Sequence, residues 1–147
     1  MYVFGVDIGG TGVKSGIVNE KGEIVVKSSI PTDRGHDYRV IVKDIADQLG
    51  GLCASSGIKI GEIAGIGVGC PGAIDSARGV VNYANNLDWS YVPLAEEFGK
   101  YFTIPLRISN DANVAALGET VFGAGKNYHD TVMITLGTGV GADAITS

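Results

Sequence analysis

The chain has 147 residues, 45% hydrophobic and 18% charged, enough apolar content to bury a core and too much for a disordered segment. A formal net charge of -5 and a pI near 4.8, with no run of Lys or Arg, speak against a nucleic-acid backbone as partner. Glycine or charge breaks every apolar stretch before the roughly 20 residues of a membrane span, and no basic leader precedes the first strand, so a cytoplasmic protein without membrane partners is expected. Cys53 and Cys70 are too few and too far apart for a disulfide framework or zinc knuckle and fit a reduced compartment. Neither lies near a His in sequence, so both read as packing residues, with Cys70 bordering the Pro71-Gly72 turn.

The chain opens as a three-strand meander over 2–6, 13–18 and 23–30, the last two joined by an Asn19-Glu20-Lys21-Gly22 turn. Residues 37–55 place Val40, Ile41, Ile45, Ala46, Leu49, Leu52 and Cys53 at three- and four-residue spacings, which predicts an amphipathic helix ended by Gly57. The run 63–69 suits a strand covered on both faces. Residues 70–83 read as a small excursion with its tip at 76–78, and 85–89 as a polar loop whose Trp89 belongs to the core or a lobe edge. Pro93 starts a short helix reaching 102, a strand covers 106–109, and a helix covers 112–122. Glycines at 123 and 125 break that helix before a last strand at 131–136. Glu119 reads as a solvated charge, and His36 and His129 as surface histidines rather than metal ligands.

Three stretches carry chemistry. In Asp7-Ile8-Gly9-Gly10-Thr11-Gly12 the glycines let backbone amides approach phosphate oxygens, Thr11 adds a hydroxyl, and Asp7 can orient a hydrated Mg²⁺. The competing reading is a tight glycine-rich hairpin. Ser109-Asn110-Asp111 ends a strand and starts a helix, so Asp111 is either a proton acceptor or a helix N-cap. Thr135-Leu136-Gly137-Thr138-Gly139-Val140-Gly141 is a second glycine-threonine loop closing an apolar strand. Two phosphate-type loops around one aspartate suggest a nucleotide clamp with a proton acceptor between its jaws. Asn86 offers an amide to vicinal hydroxyls, and Gly72 with Ala73 offers main-chain groups, although Asn and Gly also dominate turns for conformational reasons.

As an ordered set, Asp7-Ile8-Gly9-Gly10-Thr11, Asn110-Asp111 and Leu136-Gly137-Thr138-Gly139-Val140-Gly141 resembles the sugar kinases of the ROK family (repressors, open reading frames, kinases), which are similar in fold to hexokinase and actin. The resemblance implies an α/β, ribonuclease-H-like lobe with a mixed sheet flanked by helices over residues 1–130, and the start of a second lobe at 131–147. It implies ATP-dependent phosphorylation of a hexose or hexosamine, glucokinase-like, with ATP and Mg²⁺ as cofactors. Asp111 becomes the base and shares the sugar with Asn110, Asn86, Gly72 and Ala73. Asp7, Gly9, Gly10, Thr11, Gly12, Gly137, Thr138 and Gly139 take the nucleotide, with Mg²⁺ held by Asp7 through water.

The chain departs from the family at two places. Members often carry a larger polar residue where Gly12 stands, a position Lys14 could serve, and a further Gly-Gly where residues 142–147 read otherwise. The family's zinc-binding cysteine cluster and its sugar-binding Glu and His fall in the half that follows, so structural zinc is expected only there. On this reading the chain is an N-terminal half, inactive alone and self-associating through 131–140, and the parent a homo-oligomer. The alternative within the family is a sugar-responsive transcriptional repressor, which carries a DNA-binding segment ahead of the first strand. An actin-like assembly protein, the third reading, would not need Asn110-Asp111.

Overall fold

The computed structural model describes residues 1–35, 37–136 and 140–146, so His36 and the Gly137-Thr138-Gly139 loop lie outside the described residues. Strict alternation sets the main sheet. β1 (Tyr2–Ile8) sends Phe4, Val6 and Ile8 into the core and Val3, Gly5 and Asp7 to the other face. β2 (Gly12–Asn19) pairs antiparallel with β1, placing Val13 opposite Ile8, and β3 (Ile24–Pro31) pairs antiparallel with β2. The turn between β2 and β3 is held by the Asn19 side chain, whose Oδ1 accepts from the amides of Lys21 and Glu23.

The chain then crosses the sheet as α1 (Tyr38–Ser56). Asp37 is its N-cap, accepting from the Arg39 amide at 2.9 Å, and Gly57 closes it in the left-handed conformation. Ile41, Val42, Ile45, Leu49 and Leu52 are buried against the sheet at the expected spacing. Gln48 is buried among them because it has partners: Ser15 Oγ donates to its Oε1 at 2.9 Å, and its Nε2 donates to the Val13 carbonyl at 3.4 Å.

β4 (Ile63–Cys70) pairs parallel with β1, and β8 (Leu106–Asn110) parallel with β4, giving the order β3-β2-β1-β4-β8. A separate three-stranded sheet stands between them in sequence: β5 (Ala73–Asp75), β6 (Val80–Ala84) and β7 (Trp89–Val92). β7 differs from the expected polar loop. Asn85–Leu87 forms one 3-10 turn ending at Asp88 with φ 55, after which the chain extends again and buries Trp89. α2 (Leu94–Gly99) follows Pro93 and packs Leu94 and Phe98 into the core on the α1 side.

α3 (Asp111–Val121) leaves the end of β8 and lies against β4 on the sheet's other face, near Gly69. Glu119 is more than a solvated charge, since its Oε2 accepts from the Ala124 amide at 3.0 Å beyond the helix end. Among the described residues, β9 (Thr131–Leu136) and β10 (Val140–Ile145) pair with each other as a two-stranded sheet separate from the five-stranded one. Among the described residues no helix is long and apolar enough to cross a membrane.

Candidate active site

Parallel pairing brings three strand ends to one edge. Asp7 of β1 lies beside Gly69 of β4, Gly69 beside Ser109 of β8, and Cys70 beside Asn110. The turns leaving these ends are the Gly9–Gly12 loop, Pro71-Gly72 and Asn110-Asp111, the place where α/β sheets bind ligands. Asp7, Asn86, Asn110 and Asp111 share one cleft of about 740 Å³, a volume typical of small-molecule sites. Thr135, Leu136, Val140 and Gly141 of β9 and β10 also line it, as do Pro71, Val114 and Ala115.

The N-cap considered for Asp111 falls one residue earlier. Asn110 Oδ1 accepts from the Ala112 amide at 2.9 Å while its Nδ2 donates to the Gly72 carbonyl at 2.8 Å, so Asn110 locks the helix start to the neighbouring turn. Asp111 is the first helical residue, exposed to the cleft, with Oδ1 2.9 Å from the Ala112 amide. A carboxylate in the first helical turn also faces the positive end of the helix dipole.

Gly72 is not among the residues lining the cleft, and its carbonyl accepts from Asn110 Nδ2. Its φ is 98, and a Cβ there would lie 2.0 Å from the Tyr83 carbonyl oxygen, so only glycine fits this turn. Ala73 begins β5 and is exposed. Pro71, which sequence reasoning did not single out, is the residue of this turn that lines the cleft.

Asp7 carries the perturbed carboxyl of the cleft. Surrounding protein pushes the Asp7 carboxyl above its ordinary range even though the side chain still reaches solvent, the charge of Asp111 raises it further, and Lys14 opposes. Burial, with Asp111 and Asp7 adding, pushes the Cys70 thiol up to about 12, so this cysteine is a neutral packing residue at neutral pH. Cys53 is half-buried, its thiol also raised by burial.

The Gly9–Gly12 loop packs against Asn86, one of the residues lining the cleft. A Cβ on Gly10 would stand 3.2 Å from Asn86 and from the Arg34 guanidinium, and one on Gly9 2.8 Å from the Gly12 carbonyl oxygen. A side chain at Gly9 would meet backbone, and one at Gly10 or Gly12 would crowd its neighbours, so the loop stays compact around its glycines. Thr32 and Arg34 hold it from outside, bonding to the carbonyls of Gly9, Gly10 and Thr11. For Mg²⁺ the chain offers the Asp7 carboxylate, and among the described residues no group of three or more His, Cys, Asp or Glu is placed to hold a metal. That donor set suits a hydrated ion bound mainly by phosphate oxygens and water.

Leu136 and Val140, which frame the second glycine loop, both sit on the cleft wall, while the nucleotide role expected of Gly137, Thr138 and Gly139 falls outside the described residues. The family pattern described as "ROK family" matches residues 3–147. The chain belongs to the ROK family. Among ROK proteins, the glucokinase of Halalkalibacterium halodurans is 38% identical over 98% of this chain and 44% of its own length. The xylose repressor of Caldicellulosiruptor bescii is 31% identical over 97% of this chain and 36% of its own. A ROK glucokinase from Streptomyces griseus, solved with glucose and AMPPNP, superimposes with a TM-score of 0.87 at 35% identity, covering 99% of this chain and 45% of that one. The chain thus spans less than half the length of these ROK relatives. The likeness establishes the ribonuclease-H-like, actin- and hexokinase-type fold expected from the motifs.

Proposed function

We propose that the protein carrying this chain transfers the γ-phosphoryl group of ATP to a hydroxyl of a hexose or hexosamine, with glucose the first substrate to test. The observation that carries this reading is the meeting of Asp7, Asn86, Asn110 and Asp111 in one cleft at the ends of three parallel strands, with the glycine-rich Gly9–Gly12 loop packed against Asn86. Relatives named glucokinase, and one solved with glucose and AMPPNP, support it. ATP with Mg²⁺ supplies the phosphoryl group and neutralises part of its charge. The chain's own part is alignment and one proton transfer. Asn86 and Asn110 present amides to sugar hydroxyls, and Asp111 accepts the proton of the attacking hydroxyl. The Gly9–Gly12 amides, with the loop around Thr138, receive phosphate oxygens, and Asp7 orients the hydrated cation.

On this reading residues 1–130 form one lobe and 131–147 open the second, consistent with the separate hydrogen bonding of β9 and β10. Catalysis needs the rest of the second lobe, so the chain alone does not turn over. The similarity to xylose repressors supports a second reading, a sugar-responsive regulator that binds sugar without consuming ATP. Screening the full-length protein against a panel of hexoses with ATP and Mg²⁺, following ADP release and sugar-induced thermal shift, separates the two. Sugar-dependent ADP release is expected, and a thermal shift without any turnover would replace the kinase with the regulator.

A further inference from the structure

The segment joining β3 to α1 straps the first glycine loop. Thr32 Oγ1 donates to the Gly9 carbonyl at 2.7 Å, the Thr32 amide donates to the Thr11 carbonyl at 3.2 Å, and Arg34 Nε donates to the Gly10 carbonyl. Three consecutive carbonyls are therefore turned toward one segment. In a planar trans peptide the oxygen and the following N–H point opposite ways, so the amides of Gly10, Thr11 and Gly12 are turned away from the strap together. Successive amides aimed to one side make an anion-binding concavity. Glycines alone would not keep that form, because their backbone rotates freely through conformations that scatter the amides.

Arg34 also reaches past the loop. Its Nη2 and the Asn86 side chain both lie 3.2 Å from where a Cβ on Gly10 would stand, so the strap, the loop and the Asn86 segment pack at one point. The exposed guanidinium brings positive charge beside Gly10 and Asn86, the latter a residue of the cleft. We infer that Thr32 and Arg34 are positioning residues that hold the Gly9–Gly12 loop in its phosphate-accepting form. This rests on the ATP-dependent reading proposed above.

The test uses the full-length protein with Thr32→Val, Thr32→Ser, Arg34→Ala and Arg34→Lys. Isothermal titration gives the Kd for MgATP without sugar, and steady-state kinetics gives kcat and both KM values. Thr32→Val and Arg34→Ala are expected to raise the MgATP Kd and the KM for ATP about tenfold while the KM for sugar stays within about twofold. Thr32→Ser, which keeps the hydroxyl, should restore wild-type affinity, and Arg34→Lys, which loses the planar fork, should restore part of it. An unchanged MgATP Kd in both Thr32→Val and Arg34→Ala would overturn the inference. So would parallel losses of ATP and sugar affinity together with a lowered Tm, the mark of a merely structural role. A wild type that binds ATP but phosphorylates no sugar contradicts the kinase reading alone, and the variants' Kd still decides the strap. A wild type that binds no ATP overturns both.

Discussion

Strand β9 is built from the same kind of alternating, β-branched sequence as the five-stranded sheet, yet the apolar residues of the two meet opposite fates. In β1 and β2 the inward set, Phe4, Ile8, Val13 and Ile17, is essentially fully buried beneath α1. In β9 the set Val132, Ile134 and Leu136 is 64–82% exposed, and Val140 opens β10 at 78%. Periodicity fixes which residues share a face. Whether that face is covered depends on what packs there, and for β9 and β10 the described residues do not supply it.

The largest expected effect separates the two regions by stability. Leu49→Ala in α1 should cost about 2–5 kcal/mol, because it removes a fully buried side chain from a close-packed face. Ile134→Ala should change stability by no more than about 0.5 kcal/mol, as for an exposed position. Chemical denaturation of both variants checks this, and comparable losses would mean that the β9 face is as well covered as that of β1 and β2. Next in size is association. The 147-residue chain should self-associate through the exposed β9 face, and Ile134→Lys should return it to monomer in sedimentation. A clean monomer for the wild type would mean that the face is covered or tolerated in water.

The smallest effect lies at the joint between the two regions, in the pH dependence of Asp7. Its folded-state carboxyl is raised, so the folded chain holds that proton more tightly than the unfolded one. The stability tied to this group is present in full below the ordinary value of 3.8 and is lost as pH rises through the raised value. Asp7→Asn abolishes that dependence, so its Tm should gain on the wild type as pH rises from about 4 to 7. A constant difference between the two Tm curves would show that burial and Asp111 do not strain this carboxyl.

Much of this architecture is legible in the residues alone, for local reasons. The meander, α1, β4, β8, α3 and β9 announce themselves by alternation, three-four spacing, or a cap, and Asp111, Asn110 and Asn86 by their place beside loops. What escapes is what depends on distant partners. β7 is hidden because Asn85 to Asp88 read as loop chemistry, and only the left-handed Asp88 and the buried Trp89 show the chain extending again. Gln48 looks like a surface residue until Ser15, 33 positions away, takes its side chain. Arg34 carries no pattern at all, since its partner is a backbone carbonyl 24 positions upstream. The second-loop residues and the domain boundary rest on the family's pattern rather than on observed contacts.

On the proposed kinase reading, Asp111 accepts the sugar's proton in the cleft it shares with Asp7, Asn86 and Asn110. The most direct test of that role is kcat of the full-length protein against its Asp111→Asn variant at saturating glucose and MgATP, with folding checked by Tm. The amide keeps the size and the cleft but accepts no proton, so kcat should fall by about 10²–10⁴-fold with Tm nearly unchanged. Turnover close to that of the wild type would rule out Asp111 as the base and leave it as a first-turn helix residue only.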